Sequence, residues 1–185
     1  GTDYTLVSGV DVSALTGGTD DYSTTNGEIE LAYDKLEDTE SLDVNLILGG
    51  SSSITADTEA NMDTHVTMIT ALCETRRDCV GFVSPYRAAT VGVAQSIDAT
   101  KNVIDGFNTC PSSSYMVFDS GYKYMYDKYS DVYRFVPLNG DTAGLCAFTD
   151  QVADSFFSPA GFTRGNVRGA VKLSFNPTKA ERDQL

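Results

Sequence analysis

The feature that most constrains the fold of this chain is an alternation of short apolar runs with longer amphipathic segments. The clearest runs of strand character are Val44–Leu48, Cys79–Val83 and Tyr115–Phe118. Amphipathic stretches of helical length lie between them along the chain. Neighbouring parallel strands need a long crossover connection, and a helix is the usual one. The alternation therefore predicts an α/β fold.

Four stretches have apolar residues at helical spacing. We expect these helices at about residues 28–36, 59–76, 91–107 and 142–152. The predicted apolar stripe of the longest helix consists of Met62, Val66, Ile69 and Leu72 or Cys73. Thr24, Thr25 and Asn26 precede the first helix and are its N-cap candidates.

The stretch after Asp119 differs in character, because tyrosines there alternate with charged residues and predict a two-stranded excursion near residues 122–136. Ala170–Phe175 is a further strand-like run. We therefore expect a mostly parallel sheet of about four strands flanked by helices. The tyrosines are interpreted as a stacking surface for nucleic acid or sugars, as an assembly surface, or as ordinary ribbon packing with the hydroxyls in water. Ordinary strand patterning favours the last interpretation.

The length of 185 residues fits one domain, and an apolar content of 41% is enough for a sizeable core. We expect a single α/β core domain over residues 1–185, with residues 1–22 as a leading segment. Residues 176–185 have the pattern of a helix that stops before it buries a face. They are interpreted as the truncated start of a following C-terminal region, so that the chain is a domain of a longer protein.

The charge balance excludes several classes of partner. With 26 acidic and 13 basic residues, the formal net charge is −13. Such a field repels a phosphate backbone and an anionic bilayer, so we expect no nucleic-acid partner and no membrane partner. No run approaches the roughly 18 apolar residues that cross a bilayer. The first residues, Gly1–Tyr4, lack the basic and apolar character of a signal segment.

The four cysteines do not form a metal-binding pattern. Cys73, Cys79, Cys110 and Cys146 are widely spaced, and only His65 is present to add an imidazole. Structural zinc ligands are normally closer in sequence. We expect reduced, partly buried thiols and no metal site.

A glycine-rich turn follows the first predicted strand, where α/β folds often hold phosphate groups. The segment Gly49–Ser53 is not followed by Gly-Lys-Ser or Gly-Lys-Thr, and no lysine occurs between Lys35 and Lys101. A magnesium site built from an aspartate and two serines lacks its aspartate here, although Asp57 and Asp119 are carboxylates near strand ends. We expect an ordinary turn and no bound cofactor.

Catalytic residues are not predicted. Nucleophilic hydrolysis needs a base beside a serine or cysteine, and the one histidine, His65, lies in the middle of a predicted helix. We interpret it as a surface helix histidine. The chain also lacks a Gly-x-Ser-x-Gly elbow. No enzyme is therefore expected. A small-molecule or nucleotide-binding α/β domain is the main alternative function, and a hydrolase that uses Ser51–Ser53 is a distant one.

Several segments of the C-terminal half resemble the contractile tail sheath proteins of myophages. Tyr122–Tyr129 and Val132–Leu138 are similar to the sheath segment in which a Lys-Tyr ribbon leads to an Arg-aromatic-Val-Pro turn. Gly140–Ala147 is similar to the Asp-x-Ala-Gly helix that follows, and Ser158–Gly165 to a Pro-Ala-Gly loop with its arginine. In the N-terminal part, Leu15–Asp20 resembles the Gly-Gly-x-Asp marker of the sheath core domain.

The resemblance covers residues 15–185 and implies the central α/β domain of a longer sheath subunit. The implied role is structural: subunits polymerise as hexameric rings around the tail tube and contract to drive the tube through the host envelope. The implied partners are other sheath subunits, the tail tube and the baseplate, the implied location is the virion, and no cofactor follows. The arms that join sheath subunits lie outside this region, so the isolated chain is expected to be monomeric.

Five basic residues are candidates for subunit interaction: Lys123, Lys128, Arg134, Arg164 and Arg168. Basic residues in an acidic protein can pair with acidic patches of neighbouring subunits and exchange partners on contraction, because exposed ion pairs are individually weak. Ordinary salt bridges within the domain are an equally good interpretation of each residue.

Overall fold

The strands of this chain form two separate sheets, and helices cover the first of them. A computed structural model describes residues 17–18, 24–52 and 56–185. The helices are α1 (Asn26–Tyr33), α2 (Glu59–Arg76), α3 (Arg87–Thr90), α4 (Ser96–Asn108), α5 (Asn139–Val152) and α6 (Lys179–Arg182), with a 3₁₀ turn at Asp34–Leu36. The strands are β1 (Leu46–Leu48), β2 (Val80–Val83), β3 (Met116–Phe118), β4 (Tyr122–Asp127), β5 (Val132–Pro137) and β6 (Lys172–Leu173).

The first sheet is parallel, with the strand order β1, β2, β3. Ile47 of β1 lies opposite Gly81 of β2, and Gly81 lies opposite Met116 of β3. Helix α2 connects the first two strands, and α3 with α4 connects the second two, because a parallel crossover must return the chain to the starting edge of the sheet. The predicted α/β fold with a parallel sheet is confirmed.

The second sheet is antiparallel and contains the predicted excursion near residues 122–136, which is the β4–β5 hairpin. β6 pairs with the other edge of β4. The run predicted at residues 170–175 thus extends this sheet, and within the described residues the parallel sheet has three strands where about four were expected. The reason is that β4 offers unpaired backbone groups to the passing chain: Val171 N donates to Tyr124 O at 2.8 Å.

The main core lies between α2 and the parallel sheet. Helix α2 begins and ends at the predicted residues, and its N-cap is the side chain of Thr58. The predicted stripe is buried in full: Met62, Val66, Ile69, Leu72 and Cys73. Ile47 and Val83 join this cluster from the sheet. Burial of apolar surface at about 25 cal/mol per Å² makes this contact the principal stabilising element of the domain.

The prediction that His65 is a surface residue is wrong. Its side chain is 3% exposed, and its Nε2 lies 2.7 Å from the backbone oxygen of Gly49. Tyr33 packs against the ring in an edge orientation. Burial lowers the pKa of His65, and the hydrogen bond to Gly49 opposes that shift. A histidine can occupy this core because one backbone partner satisfies its buried nitrogen.

The helix predicted at about residues 91–107 is α4, which begins later than expected, at Ser96, and the short helix α3 precedes it at Arg87–Thr90. Val91 has an extended backbone, with φ −88° and ψ 120°. Gly92 has φ 87°, in the left-handed region that glycine adopts without strain. An α-helix cannot pass through these conformations, so α3 ends before Val91 and α4 begins at Ser96.

The cysteines are free thiols, as expected: Cys73 and Cys79 are buried, and Cys110 and Cys146 are half-buried. Burial raises the pKa of Cys73 and of Cys110 to about 12, which makes both thiols poor nucleophiles. Within the described residues, no group of three or more His, Cys, Asp or Glu side chains is placed to hold a metal ion. In the same part of the chain, no helix combines the length and apolarity that crossing a bilayer requires.

Candidate interaction surface

The carboxyl ends of the parallel strands meet at one edge of the first sheet, where α/β folds most often bind ligands. Here the turn after β1 makes contacts within the protein. Gly49 N donates to Phe82 O at 2.8 Å, and Asn139 Nδ2 donates to Gly50 O at 2.5 Å. A Cβ added at Gly49 would lie 2.9 Å from Val83 Cγ1, so glycine is needed for this close approach. The turn therefore serves packing at this edge.

Asp119 is the centre of a partly buried hydrogen-bond network that connects the two sheets. Ser84 Oγ donates to Asp119 Oδ2 at 2.5 Å, and Gly121 N donates to Asp119 Oδ1 at 2.9 Å. Asn139 N donates to Ser84 Oγ at 3.1 Å. Burial raises the pKa of Asp119 to about 7, although the hydrogen bonds from Ser84 and Gly121 lower it. The network joins the ends of β2 and β3 to the starts of β4 and α5.

Sequence reasoning identified Asp119 as a carboxylate near a strand end but missed its partners. Ser84 is 35 residues from Asp119, and Asn139 is 55 residues from Ser84. No local pattern relates positions at such separations. The available signal is that a polar residue directly follows each of β2 and β3.

Among the five predicted interaction residues, Lys123 is the one whose side chain as a whole is buried. It is on β4 and is 7% exposed. Its Nζ lies 2.8 Å from both carboxylate oxygens of Asp141, in the first turn of α5, and donates to Arg168 O at 3.1 Å. These contacts join the second sheet to α5 and to the segment before β6. A role of Lys123 in subunit contact stays a prediction.

Lys128 and Arg134 lie near the tip of the β4–β5 hairpin, away from Lys123. Lys128 Nζ is 5.0 Å from the ring centroid of Tyr129, which is 89% exposed. Arg134 Nε is 3.0 Å from Asp127 Oδ2 at the surface. Exposed pairs of this kind contribute about 0–1 kcal/mol to stability, so both cations remain able to change partners.

One face of the hairpin is an aromatic ladder. Tyr122 is buried at its base and donates its hydroxyl to Pro85 O at 2.9 Å. Tyr124 stacks on Tyr133 with ring centroids 5.3 Å apart, and Tyr126 lies next to Tyr133 towards the tip. The predicted packing of one side on the core therefore holds at Tyr122, whose hydroxyl is buried and not in water. The tip of the ladder, with Tyr126 and Tyr133, is exposed.

Arg164 and Arg168 border a groove of about 350 Å³ between α5 and residues 163–168. Its floor includes Gly140 and Gly144 of α5, and in the described part of the chain no atom outside their own helix backbone lies within 4 Å of a Cβ added at either position. The floor is therefore bare backbone, open to an incoming side chain.

Both guanidinium groups at this groove rest on aromatic rings. Arg164 Cζ lies 5.5 Å from the ring centroid of Phe157, and Arg168 Cζ lies 6.0 Å from that of Phe148. The structure thus brings three of the five predicted cations together, since the ion pair of Lys123 lies beside the same end of α5. We name this surface, formed by α5 and residues 163–168, the basic groove.

Sequence reasoning did not identify a strongly acidic flank on α1 and the segment after it. Residues 28–43 contain seven Asp or Glu residues and one Lys, and all seven acidic residues are exposed. The buried side chain of Arg76 fixes this segment and donates to Leu42 O at 2.9 Å. The Ser41 hydroxyl is the main cause of a lowered pKa at Asp38, so this carboxylate stays ionised. The run of charges in the sequence was the signal for this surface, which we name the acidic flank.

Comparison with known proteins gives one consistent family. The profile of the phage tail sheath protein central domain matches residues 22–185. The tail sheath protein of Enterobacteria phage T4 is 37% identical over 186 residues, which cover 94% of this chain and 28% of that protein. The tail sheath protein of Vibrio phage KVP40 is 38% identical over 185 residues, which cover 91% of this chain and 27% of that protein.

A third relative is more distant. The tail sheath protein of Salmonella phage ViI is 30% identical over 175 residues, which cover 94% of this chain and 26% of that protein. The chain therefore spans little more than a quarter of the length of the curated relatives that it matches.

Proposed function

This chain belongs to the phage tail sheath protein family, and we propose that it is the central α/β domain of a longer contractile sheath subunit. The observation that carries the proposal is the family match over residues 22–185, together with 37% identity to the T4 tail sheath protein. In this proposal the domain is part of the virion. Subunits polymerise as hexameric rings around the tail tube and contract to drive the tube through the host envelope.

The role in this proposal is mechanical and not catalytic. The polar groups at the ends of the parallel strands support it, because Gly49, Gly50, Ser84 and Asp119 all bond to other groups of the same chain. A network of this kind resists a change in the angle between the two sheets, since breaking the hydrogen bonds of Ser84, which is buried, leaves a polar group without a partner. A rigid domain suits a polymer that transmits force between its subunits.

The proposed partners are other sheath subunits, the tail tube and the baseplate. The domain taken alone is expected to be monomeric, because the arms that link sheath subunits are outside it. Sedimentation equilibrium of the isolated chain tests this expectation, and a stable dimer or larger oligomer at micromolar concentration would contradict it.

For the subunit contacts we retain the basic residues Lys128, Arg134, Arg164 and Arg168 as direct candidates. Their position at the surface of an acidic domain supports this role. Lys123 is retained as a residue that holds Asp141 and the segment carrying Arg168 in place.

Electron microscopy of the full sheath subunit tests the proposal. The wild-type protein is expected to form sheath-like tubes with six-fold rings. Arg134→Glu combined with Arg164→Glu is expected to impair their assembly, and Lys101→Glu combined with Lys179→Glu, at exposed positions of α4 and α6, is the matched control. Absence of tubes from folded wild-type protein would contradict the proposed function.

A thermal-shift screen with nucleotides tests the nucleotide-binding alternative. A ligand that binds the folded state raises Tm by mass action. We expect no change in Tm. A reproducible rise with one nucleotide would favour the alternative over the structural role.

A further inference from the structure

We infer that the basic groove of one copy of this domain docks on the acidic flank, residues 28–43, of a second copy. The inference rests on the proposed function, because it concerns the contact between neighbouring sheath subunits.

The groove carries more positive than negative charge. Among the described residues, Asp141 is the one carboxylate that lines it, and Lys123 pairs with that carboxylate at 2.8 Å. Neither Arg164 nor Arg168 has an ion-pair partner within residues 17–18, 24–52 and 56–185. The groove therefore has two positive charges available for a partner, in a domain whose net charge is −13.

The orientation of the Arg164 guanidinium group also favours a carboxylate partner. Its Nε is buried, and the side chain as a whole is half-buried at the edge of the groove. The aromatic ring of Phe157 holds the guanidinium group at 5.5 Å and so keeps its plane oriented. A planar guanidinium held in this way binds a carboxylate through two hydrogen bonds.

The shape of the groove agrees with an acidic side chain as the ligand. Gly140 and Gly144 leave a bare floor on α5, so an Asp or Glu side chain from another chain can enter between α5 and residues 163–168. Backbone N–H groups at the start of α5 add a favourable field for a carboxylate.

The acidic flank is the matching surface. Its seven exposed carboxylates are accompanied by one basic residue, Lys35, within residues 28–43. Leu31 and Leu42 are exposed beside them and supply apolar area for a contact. Charge complementarity of this kind sets the register of an interface and excludes wrong partners.

The two surfaces lie on opposite sides of the parallel sheet. α1 packs on α2, and α2 covers the face of the sheet that carries Gly81 and Val83. Phe82 points to the other face because side chains alternate along a strand, and α5 packs on β1 and β2. One domain therefore cannot close this contact on itself. A contact between two different surfaces generates rings or helical arrays, which is the assembly a sheath needs.

The test measures the critical concentration for polymerisation of the full sheath subunit by light scattering, with tubes identified by electron microscopy. One variant reverses the groove, Arg164→Glu with Arg168→Glu. A second reverses the flank at three exposed positions, Glu30→Lys, Glu37→Lys and Glu40→Lys. Each is expected to raise the critical concentration at least about tenfold. The combined variant is expected to return it to within about threefold of wild type, because the charges are exchanged and not removed.

Two control variants each reverse two charges of the same sign elsewhere in the domain. Lys101→Glu with Lys179→Glu, and Asp98→Lys with Asp105→Lys, lie on exposed positions of α4 and α6. They are expected to leave the critical concentration within about threefold of wild type. Arg164→Gln with Arg168→Gln is a milder groove variant, and thermal melts of all variants show that the domain is folded.

The outcomes separate the two proposals. If both charge-reversed variants form tubes as well as the wild type does, the docking inference is overturned and the sheath function is left intact. The same holds if the combined variant is not rescued. A wild-type subunit that is folded but forms no tubes overturns both.

Discussion

The Ser84 hydroxyl donates a 2.5 Å hydrogen bond to the carboxylate of Asp119, and this contact ties the carboxyl ends of β2 and β3 together. Asn139 N donates to the same hydroxyl at 3.1 Å, so the pair also fixes the start of α5. The parallel sheet, the antiparallel sheet and α5 are therefore held at one point. A domain that transmits force gains rigidity from such a junction, because Ser84 and Asn139 are buried and their polar groups depend on partners within the chain.

The stability of the domain is expected to depend on pH through Asp119. Its pKa is raised from 3.8 to about 7 in the folded state, so the folded state binds more protons than the unfolded state between about pH 4 and pH 7. The free energy of unfolding contributed by this group therefore falls as pH rises through that window, by at most about 4 kcal/mol. Asp119→Asn removes the titration.

Urea unfolding from pH 4 to pH 8 measures this dependence. The stability of Asp119→Asn relative to wild type is expected to increase as pH rises from 4 to 7 and to stay constant above 7. Asp105→Asn, an exposed change on α4, is the control and is expected to show a flat difference. A flat difference for Asp119→Asn as well would contradict the buried network.

The Lys123–Asp141 ion pair is expected to stabilise the contact between the second sheet and α5. Lys123→Met removes the cation and leaves the Asp141 carboxylate without its partner. Loss of one member of a buried pair destabilises by about 3 kcal/mol, and chemical unfolding measures it. Lys128→Met on the exposed hairpin tip is the control, with an expected change within about 0.5 kcal/mol. Equal losses of unfolding free energy in the two variants would show that the Lys123–Asp141 pair contributes no more to stability than an exposed lysine does.

Gly81 is expected to tolerate no side chain. A Cβ at this position would lie 2.5 Å from Met116 Sδ and 3.0 Å from Cys73 Sγ, between β2 and α2. Gly81→Ala is therefore expected to destabilise the domain by about 1–3 kcal/mol. Gly27→Ala in α1 meets no described atom within 4 Å and is expected to stabilise by up to about 1 kcal/mol. Thermal unfolding of both variants checks that the two changes shift Tm in opposite directions. A Gly81→Ala variant with unchanged Tm would argue against this packing.

Arg76 is expected to hold the acidic flank in place. Its buried guanidinium donates to Leu42 O at 2.9 Å and to both carboxylate oxygens of Asp78 at 2.9 Å. Arg76→Lys cannot reproduce this planar set of donors. Hydrogen exchange of residues 37–43 is expected to become faster and Tm to fall. Arg77→Lys, an exposed neighbour, is expected to change neither. Unchanged exchange in Arg76→Lys would show that the segment is held by other contacts.

Local patterns were enough for most elements of this fold. The stripe from Met62 to Cys73 placed α2 at its observed ends, and alternating tyrosines predicted the β4–β5 hairpin, because the periods of 3.6 and 2 residues follow from local backbone geometry. The short helix α3 was missed, and the start of α4 was predicted five residues too early, at Val91 instead of Ser96. Gly92 adopts a left-handed conformation that ends the helical path there, and the sequence pattern does not show which conformation a glycine adopts.

The amino-acid sequence by itself determined the fold class, the family and the excess of acidic charge. The fold class follows from local periodicity, the family from short sequence motifs, and the charge from composition. The tertiary structure alone decided the partners of Asp119, the burial of His65 and the gathering of Lys123, Arg164 and Arg168 around α5. The physical reason is distance along the chain. Contacts between residues tens of positions apart depend on how sheets and helices pack, and packing is set by the whole core and not by any single segment.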